Sequence, residues 1–354
     1  MRKKCYRLGL GGVICILLIW RFLKGPPIKS SHRQSDSTKS VQKTDELMTF
    51  PSVAMTNPPI PMAKMAPASE RILVVYAYSE IAYDRYDSKS NLQFFIDFAI
   101  NGKHHSYDVD YVIVVNGYNC TVNIPEQNNT YVIARPNSGF DACAWKVGLD
   151  YMRNKKGDKW YKYFVLLNAS VRGPFIPPYA NDKHWTTYFT KFLDSYVKLV
   201  GTSICCSKIW PVHIQSMFLV TSQTGLALIE DLLKCGYRDK LAVTFNVEIK
   251  MSQAVLKKGF NIASLLKQWE DHDFRDKHRT DEMCSKHNTK KNGDPYFEGA
   301  YYDGIDIHPF EVMFFKTNRG VNQRVQDIYS SMMQEWRQNY SPEKTKGYYI
   351  DNKS

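Results

Sequence analysis

Four short apolar runs alternate with amphipathic segments through the middle of the chain, and this alternation constrains the fold most. The runs are rich in β-branched and aromatic residues and cover residues 72–78, 111–115, 131–134 and 163–167. Such runs are typical of strands that are buried on both faces. Amphipathic segments at 91–100 and 138–152 separate most of them. Strands that alternate with helices predict a mostly parallel sheet in a single Rossmann-like α/β domain.

We assign residues 71–320 to this domain and residues 321–354 to a C-terminal helix and tail. The later elements of the domain are predicted to be strands at 199–204, 217–221 and 312–315, helices at 224–234 and 246–258, and a mobile charged loop at 270–294.

An apolar segment near the N-terminus predicts a membrane anchor. Residues 8–23 are apolar or glycine apart from Arg21, and four basic residues precede them. This charge asymmetry favours a cytoplasmic tail at 1–7 and a luminal remainder, as in a type II membrane protein. No small-residue cleavage site comes after the segment, which favours an anchor over a cleaved signal peptide or a soluble protein. Residues 24–70 are rich in Pro, Ser, Lys and Thr and predict a flexible stem.

Cysteines and glycosylation sequons fit an oxidising lumen. Six cysteines lie beyond the anchor, and their irregular spacing argues against a metal site and leaves their pairing open. Asn119 and Asn128 begin acceptor sequons in a polar loop between two strands. The net charge of +12 lies largely in the first 45 residues. No zinc-ligand spacing or basic recognition helix is present, so nucleic acid is not expected to be a partner.

Polar residues come directly after the third predicted strand, at the point where a helix begins. The stretch is Arg135-Pro136-Asn137-Ser138-Gly139-Phe140-Asp141. Open α/β sheets bind nucleotides at this edge, and the unpaired amides of a helix N-terminus bind phosphate. We therefore predict that Arg135, Asn137, Gly139 and Asp141 contact the phosphate or ribose of a nucleotide. The alternative is a capping box, with Ser138 as the N-cap and Asp141 at the third helical position.

The fourth predicted strand ends in Asn168-Ala169-Ser170, with Arg172 two residues further on. Asn168 and Ser170 are predicted to contact the same ligand. Both are neutral, whereas a hard cation prefers charged oxygen ligands, so no metal cofactor is expected to be required. Arg172 would offset diphosphate charge instead. The alternative is a simple strand-to-turn transition at Gly173-Pro174.

The segment 246–258 has an apolar face at Val247, Met251, Ala254 and Val255 and predicts a helix that ends at Gly259. Asn246 is a suitable N-cap, which would place Glu248 in the first turn. There an acid is favourable against the helix dipole whatever its function. The functional alternative is that Glu248 acts as a general base.

Two further segments contain candidate site residues. His213 and Gln215 precede a predicted strand, where His213 would assist catalysis and Gln215 would bind the acceptor; a structural role for both is the alternative. Lys316 and Arg319 come after the terminal predicted strand and would close over phosphate; a solvated basic end is the alternative.

Taken in this order, the motifs resemble those of the rhamnan synthesis F family of glycosyltransferases. The matching stretches are residues 135–141, 167–175, 213–216 and 308–312 together with Glu248, and they span most of the globular part. The resemblance implies a GT-A fold and transfer of a hexose or deoxyhexose, with inversion, from a nucleotide-sugar donor to a glycan or polysaccharide acceptor. In many enzymes with this fold, two carboxylates that hold a cation stand where this chain has Asn168 and Ser170.

The anchor and stem are similar to those of Golgi-resident transferases, which implies a Golgi or endoplasmic reticulum membrane with the catalytic domain in the lumen. Two alternatives are an inactive, lectin-like luminal protein on the same fold and a luminal hydrolase. The missing carboxylate pair favours the first. The second would need a paired acid and nucleophile in a cleft, and the sequence shows no such pair.

Overall fold

The computed structural model describes residues 70–339 apart from 84–85, 107, 158–159, 181, 208, 288–289, 303 and 322. The predicted cytoplasmic tail, membrane anchor and almost all of the stem lie outside the described residues. Among the residues that are described, no helix is long and apolar enough to cross a membrane.

A seven-stranded sheet forms the centre of the domain. Its strands are β1 (Ile72–Tyr78), β2 (Val109–Asn116), β3 (Thr130–Arg135), β4 (Tyr163–Asn168), β5 (Val197–Gly201), β6 (Phe218–Ser222) and β7 (Asn261–Ser264). They lie in the order β7-β5-β6-β4-β1-β2-β3. Only β6 runs antiparallel to its two neighbours, and the other pairs of this sheet are parallel. The predicted mostly parallel sheet is therefore confirmed.

Helices connect and flank the strands. The longer ones are α1 (Ser88–Phe95, continued by a π turn at Ile96–Ile100), α2 (Phe140–Lys156), α3 (Gln223–Ile229), α4 (Lys240–Val243, a π turn at Thr244–Ile249, and Lys250–Lys257), α5 (Lys277–His287) and α6 (Gln323–Asn339). Short helices occur at Thr187–Thr190 and Pro309–Val312, with 3₁₀ turns at Pro178–Ala180, Glu230–Leu232, Lys267–Trp269 and Lys290–Gly293. Two-residue strands pair Ala82–Tyr83 with Tyr86–Asp87, Ile204–Cys205 with His213–Ile214, and Val171–Arg172 with Phe315–Lys316.

Two predicted elements are wrong. The segment 270–294, predicted to be a loop, contains α5. The strand predicted at 312–315 is also wrong, because the helix Pro309–Val312 occupies the start of that segment. His308 caps this helix, and its ring accepts a hydrogen bond from the Phe310 amide. The strand that follows is Phe315–Lys316. A short apolar run such as this can face a core either as a strand or as a helix, so its pattern did not distinguish the two.

The strand β2 begins at Val109, two residues before its apolar run at 111–115. It can include the buried Asp110 because the charge of that carboxylate is neutralised. Asp110 is 2% exposed, lies 3.3 Å from the Arg71 guanidinium and accepts a hydrogen bond from the Tyr161 hydroxyl at 2.6 Å. A buried carboxylate is tolerated when it is paired and hydrogen-bonded.

Aromatic packing fixes the segment that leads into Phe315–Lys316. Phe218 on β6 stacks on Phe314 with ring centroids 4.3 Å apart, and Trp185 lies 5.2 Å from Phe314. Each of these rings is at most 2% exposed. Full burial of such a side chain stabilises a fold by roughly 1.5–3 kcal/mol. The backbone position of the adjacent Lys316 is therefore set by the core.

Within the described part of the chain, two disulfides join segments that are distant in sequence. They link Cys143 to Cys235 and Cys206 to Cys284. Cys120 and Cys205 are free thiols.

Candidate active site

The strand order reverses at β1, so the carboxyl ends of β1 and β4 lie side by side. β2 and β3 lie on one side of β1, and β4 lies on its other side. Ala77 of β1 is beside Asn168 of β4. Ligands of open α/β sheets bind in the crevice outside the carboxyl ends of the strands at such a switch point. Residues 168–170 leave β4 directly into this region.

Asn168 joins the turn after β4 to the start of α2. Its Nδ2 donates to Asp141 Oδ2 at 2.5 Å, and its Oδ1 accepts from the Ser170 amide at 2.9 Å and from Ser170 Oγ at 2.6 Å. Burial raises the pKa of Asp141 above its usual value, while the Asn168 hydrogen bond and the charges of Lys316 and Lys240 oppose that shift. Asp141, Asn168 and Ser170 therefore form one polar unit at the carboxyl edge.

The helix α2 does not begin with the predicted capping box. Its N-cap is Gly139, at a φ of +70°, and Ser138 does not cap it. A Cβ at Gly139 would lie 2.6 Å from the Cys235 carbonyl oxygen, so this position requires glycine for space as well as for conformation. The disulfide between Cys143 and Cys235 joins the first turn of α2 to the same segment. Gly139 thus allows the start of α2 to lie close to the chain that enters α4.

Glu248 does not lie in the first turn of its helix. α4 begins at Lys240 with Asp239 as the N-cap, and Asp239 accepts a hydrogen bond from the Ala242 amide at 2.7 Å. Asn246 is inside the helix, where its side chain donates to the Ala242 carbonyl at 3.0 Å. The prediction of Asn246 as the N-cap is therefore wrong. Because the dipole effect falls off within the first turn, it does not explain an acid at position 248.

Glu248 lies on the π turn of α4, and two side chains from the segment before β6 hold its carboxylate. Ser216 Oγ donates to Glu248 Oε2 at 2.5 Å, and His213 Nε2 lies 3.5 Å from Glu248 Oε1. Burial alone would raise the pKa of the Glu248 carboxyl, but His213, with Lys316 and Ser216, lowers it to about 2. π turns inside α-helices occur frequently at functional sites. Glu248 is thus kept ionised in a largely enclosed position.

The orientation of His213 is fixed from its other ring nitrogen. His213 Nδ1 lies 2.7 Å from the Pro211 carbonyl oxygen, which can only accept, so Nδ1 is the donor. The His213 ring is therefore held with its Nε2 facing the Glu248 carboxylate.

Lys316 is a partly buried cation whose charge acts on both Glu248 and Asp141. The strand Phe315–Lys316 pairs with Val171–Arg172, and the Thr317 amide donates to the Ser170 carbonyl at 2.9 Å. Burial, together with the charge of Arg319, lowers the pKa of Lys316 to about 8, against the opposing effects of Glu248 and Asp294. Its ammonium group makes no hydrogen bond or ion pair with any residue that the structure describes. It is therefore available to an anion.

Gln215 is buried in a network of its own. Its Oε1 accepts from Ser203 Oγ at 2.8 Å, and its Nε2 donates to Asp294 Oδ1 at 3.1 Å. Arg319 Nε lies 3.5 Å from the other oxygen of Asp294. Gln215 thus positions Asp294 and Arg319 near Lys316, while both ends of its own amide are engaged by the protein.

The two arginines that were predicted to contact phosphate donate hydrogen bonds to protein groups. Arg135 is 6% exposed and donates to the Asn116 side chain and, at 2.5 Å, to the Ser138 carbonyl. Arg172 donates to Asn91, Ser330 and Ser90 at 3.0, 3.0 and 2.7 Å. Both therefore tie loops and helices together at the carboxyl edge. Asn137 is exposed in the loop before α2.

Ser216, Lys240 and Asp294 belong to the site although no sequence pattern indicates it. Ser216 is close in sequence to the candidates His213 and Gln215, but its hydrogen-bond partner Glu248 is 32 residues away, so the sequence does not show the contact. Neither Lys240 nor Asp294 follows a predicted strand or belongs to a sequence motif. The fold alone brings them near Asp141 and Lys316. Within the described part of the chain, no group of three or more His, Cys, Asp or Glu side chains could hold a metal ion.

Comparisons with known proteins assign no family. No family model matches the chain, and no curated protein matches it. Among solved structures, the chain is similar to a glycosyltransferase involved in the glycosylation of the major capsid of PBCV-1, at 10% sequence identity and a TM-score of 0.33. That similarity covers 74% of this chain and 99% of the other. Because the similarity is weak, the residues of the site carry the functional proposal.

Proposed function

We propose that the protein is a glycosyltransferase that moves a sugar from a nucleotide-sugar donor to a hydroxyl group of a glycan acceptor. One observation carries the proposal: an ionised, largely enclosed Glu248 and an unpaired Lys316 lie close enough at the switch point to shift each other's pKa. A transferase of this kind needs a carboxylate for the acceptor and a cation for the leaving diphosphate, both in one crevice.

Lys316 binds the donor diphosphate, with Lys240 and Arg319 adding positive charge around it. The unit of Asp141, Asn168 and Ser170 lies next to this cation and meets the ribose or the sugar of the donor. Because Arg135 and Arg172 donate to protein groups, they support the loops of this site and are not assigned to the diphosphate.

Glu248 is the general base of a direct displacement. The acceptor oxygen attacks the anomeric carbon while the bond from that carbon to the diphosphate oxygen breaks. The acceptor proton passes to Glu248, and the nucleoside diphosphate leaves with the electron pair beside Lys316. A carboxylate with a pKa of about 2 is a weak base, but Lys316 contributes to that low value. An anionic diphosphate that pairs with Lys316 offsets its charge, so donor binding raises the pKa of Glu248 and strengthens the base.

The finer parts of the proposal come from the sequence. The sugar is a hexose or deoxyhexose transferred with inversion, no metal is required, and the protein acts on glycans in the lumen of the Golgi or endoplasmic reticulum as a type II membrane protein. The second candidate is an inactive, sugar-binding luminal protein, which the neutral Asn168 and Ser170 favour. Turnover of a nucleotide sugar distinguishes the two.

Donor binding is tested by thermal denaturation of the full-length protein with UDP, GDP, CDP and TDP. A diphosphate at about 100 times its Kd stabilises the folded state by about 2.7 kcal/mol, which corresponds to a rise in Tm of several degrees. We expect one of the four to give this rise, and Lys316→Gln to abolish it. Lys267→Gln, at a lysine whose side chain is 70% exposed, is the matched control and should retain it. No rise with any of the four, or an equal rise in Lys316→Gln, would contradict the proposed site.

A further inference from the structure

A cavity outside the candidate active site shares no lining residue with it. Its volume is about 790 Å³, and it lies between the end of the π turn that continues α1, the segment after the Val171–Arg172 strand, and α6. Well-packed interiors leave few voids larger than a water molecule, whereas ligand pockets occupy roughly 300–1,000 Å³. The size of this cavity is that of a ligand site.

Apolar and aromatic side chains form most of the wall. They include Phe98, Ile176, Tyr179, Trp185, Met333 and Trp336. Tyr179 is 87% exposed at the edge, whereas Ile176, Trp185 and Met333 are buried. The His184 ring adds to this wall as a neutral group, because burial lowers its pKa to about 4. The wall therefore suits an apolar ligand body.

The charged groups of the lining are mainly positive. Asp97, the acid among the described lining residues, is neutralised by Arg337, whose Nη1 lies 2.8 Å from Asp97 Oδ1. Lys103 and Lys183 are exposed at the edge of the cavity and make no hydrogen bond or ion pair with described residues. Two unpaired cations beside an apolar wall are complementary to a ligand that carries one negative group.

We propose that this cavity binds an amphipathic organic anion, a small molecule with an apolar body and one carboxylate, phosphate or sulfate group. The apolar body lies against Trp185, Ile176 and Met333, and the anionic group lies at the edge beside Lys103 and Lys183. This site is independent of the proposed transferase chemistry, because none of its residues belongs to the candidate active site.

Displacement of a fluorescent probe tests the proposal on the full-length protein. 1-Anilinonaphthalene-8-sulfonate is itself an aromatic anion and should bind and gain fluorescence. Laurate and 2-naphthoate should displace it, and the tighter of the two shows whether the apolar body is an acyl chain or a planar ring. Dodecanol has the same chain as laurate without the charge and should displace the probe much more weakly. Displacement by dodecanol as strong as that by laurate would overturn the proposal.

Paired variants locate the site. Lys103→Gln/Lys183→Gln should weaken laurate binding roughly five- to tenfold, because two exposed charge interactions are lost. It should leave binding of dodecanol unchanged. Lys257→Gln/Lys258→Gln removes two exposed lysines at the end of α4 and should bind laurate as the parent does.

Met333→Trp fills the cavity and should weaken the binding of every ligand, with its Tm measured to confirm folding. Equal laurate affinity in the parent and Lys103→Gln/Lys183→Gln would overturn the proposal.

Discussion

At the scale of single residues, the site depends on two oppositely charged groups whose pKa values are both displaced. Lys316 is charged in a position where burial lowers its pKa from 10.5 to about 8. Burial of an ammonium group without a partner is unfavourable, so an anionic ligand that pairs with it recovers interaction energy that the free protein lacks. The unpaired cation therefore provides part of the driving force for donor binding.

This displaced pKa predicts a pH dependence of donor affinity. Lys316 is charged below about pH 8 and loses its proton as the pH rises through that value, so affinity for the nucleoside diphosphate should fall above pH 8. The limiting slope is about tenfold per pH unit for one proton. Titration calorimetry between pH 6.5 and 9.5 measures it.

Lys316→Arg is the matched control, because arginine stays charged over this range. It should bind with little change in affinity up to pH 9.5. The same decline in the parent and in Lys316→Arg would show that another group causes it.

At the scale of elements, the sequence predicted the features that arise from regular periodicity and missed those that depend on irregular backbone. The core strands β1 to β4 were predicted because burial on both faces leaves continuous apolar runs. The start of α4 was not, because its π turn at Thr244–Ile249 interrupts the 3.6-residue period and only the regular turns after it retain the pattern. The start of α2 also depends on irregular backbone, because Gly139 in a left-handed conformation is its N-cap and not Ser138.

Part of the candidate site was predictable because it coincides with the ends of regular elements. Asn168 ends a regular strand and Asp141 begins a regular helix, so their positions at the carboxyl edge could be inferred. Asp294 reaches Lys316 through tertiary contacts and a hydrogen bond from the distant Gln215, which no local pattern encodes.

The end of β4 gives the second prediction, on metal dependence. Asn168 and Ser170 are neutral and hydrogen-bonded to each other, and the carboxylate that contacts them, Asp141, itself accepts a hydrogen bond from Asn168. Transfer activity should therefore survive EDTA with less than about a twofold loss, since one carboxylate holds a hard cation weakly. Initial rates with EDTA, and with EDTA plus excess Mn²⁺, measure this. Loss of activity in EDTA that Mn²⁺ restores would contradict it.

At the scale of the whole molecule, the covalent links connect the parts that supply the site. The disulfide between Cys143 and Cys235 joins the helix of Asp141 to the segment that enters the helix of Glu248. Disulfides persist in oxidising compartments and are rare in the cytosol. Together with the charge asymmetry around residues 8–23, this supports the proposal of a luminal domain behind a membrane anchor.

The proposed topology predicts protection and glycosylation. Asn119 and Asn128 are both exposed in the loop between β2 and β3, where an oligosaccharide can be attached. Protease added to sealed microsomes should leave residues 25–354 intact, and glycosidase treatment should increase the electrophoretic mobility of the parent. Asn119→Gln/Asn128→Gln should already migrate at the faster position. Complete digestion without detergent would contradict a luminal domain.

The most direct test of the proposed mechanism is the turnover of Glu248→Gln with the nucleotide sugar that the parent uses, identified from a panel of donors. Glutamine keeps the size and most hydrogen bonding of Glu248 but cannot take a proton, so the chemical step should slow by roughly 100-fold or more. Diphosphate affinity and Tm should stay close to those of the parent. Glu335→Gln, at an exposed acid on α6, should have the parent's rate. Turnover of Glu248→Gln within a few-fold of the parent would contradict the assignment of Glu248 as the base.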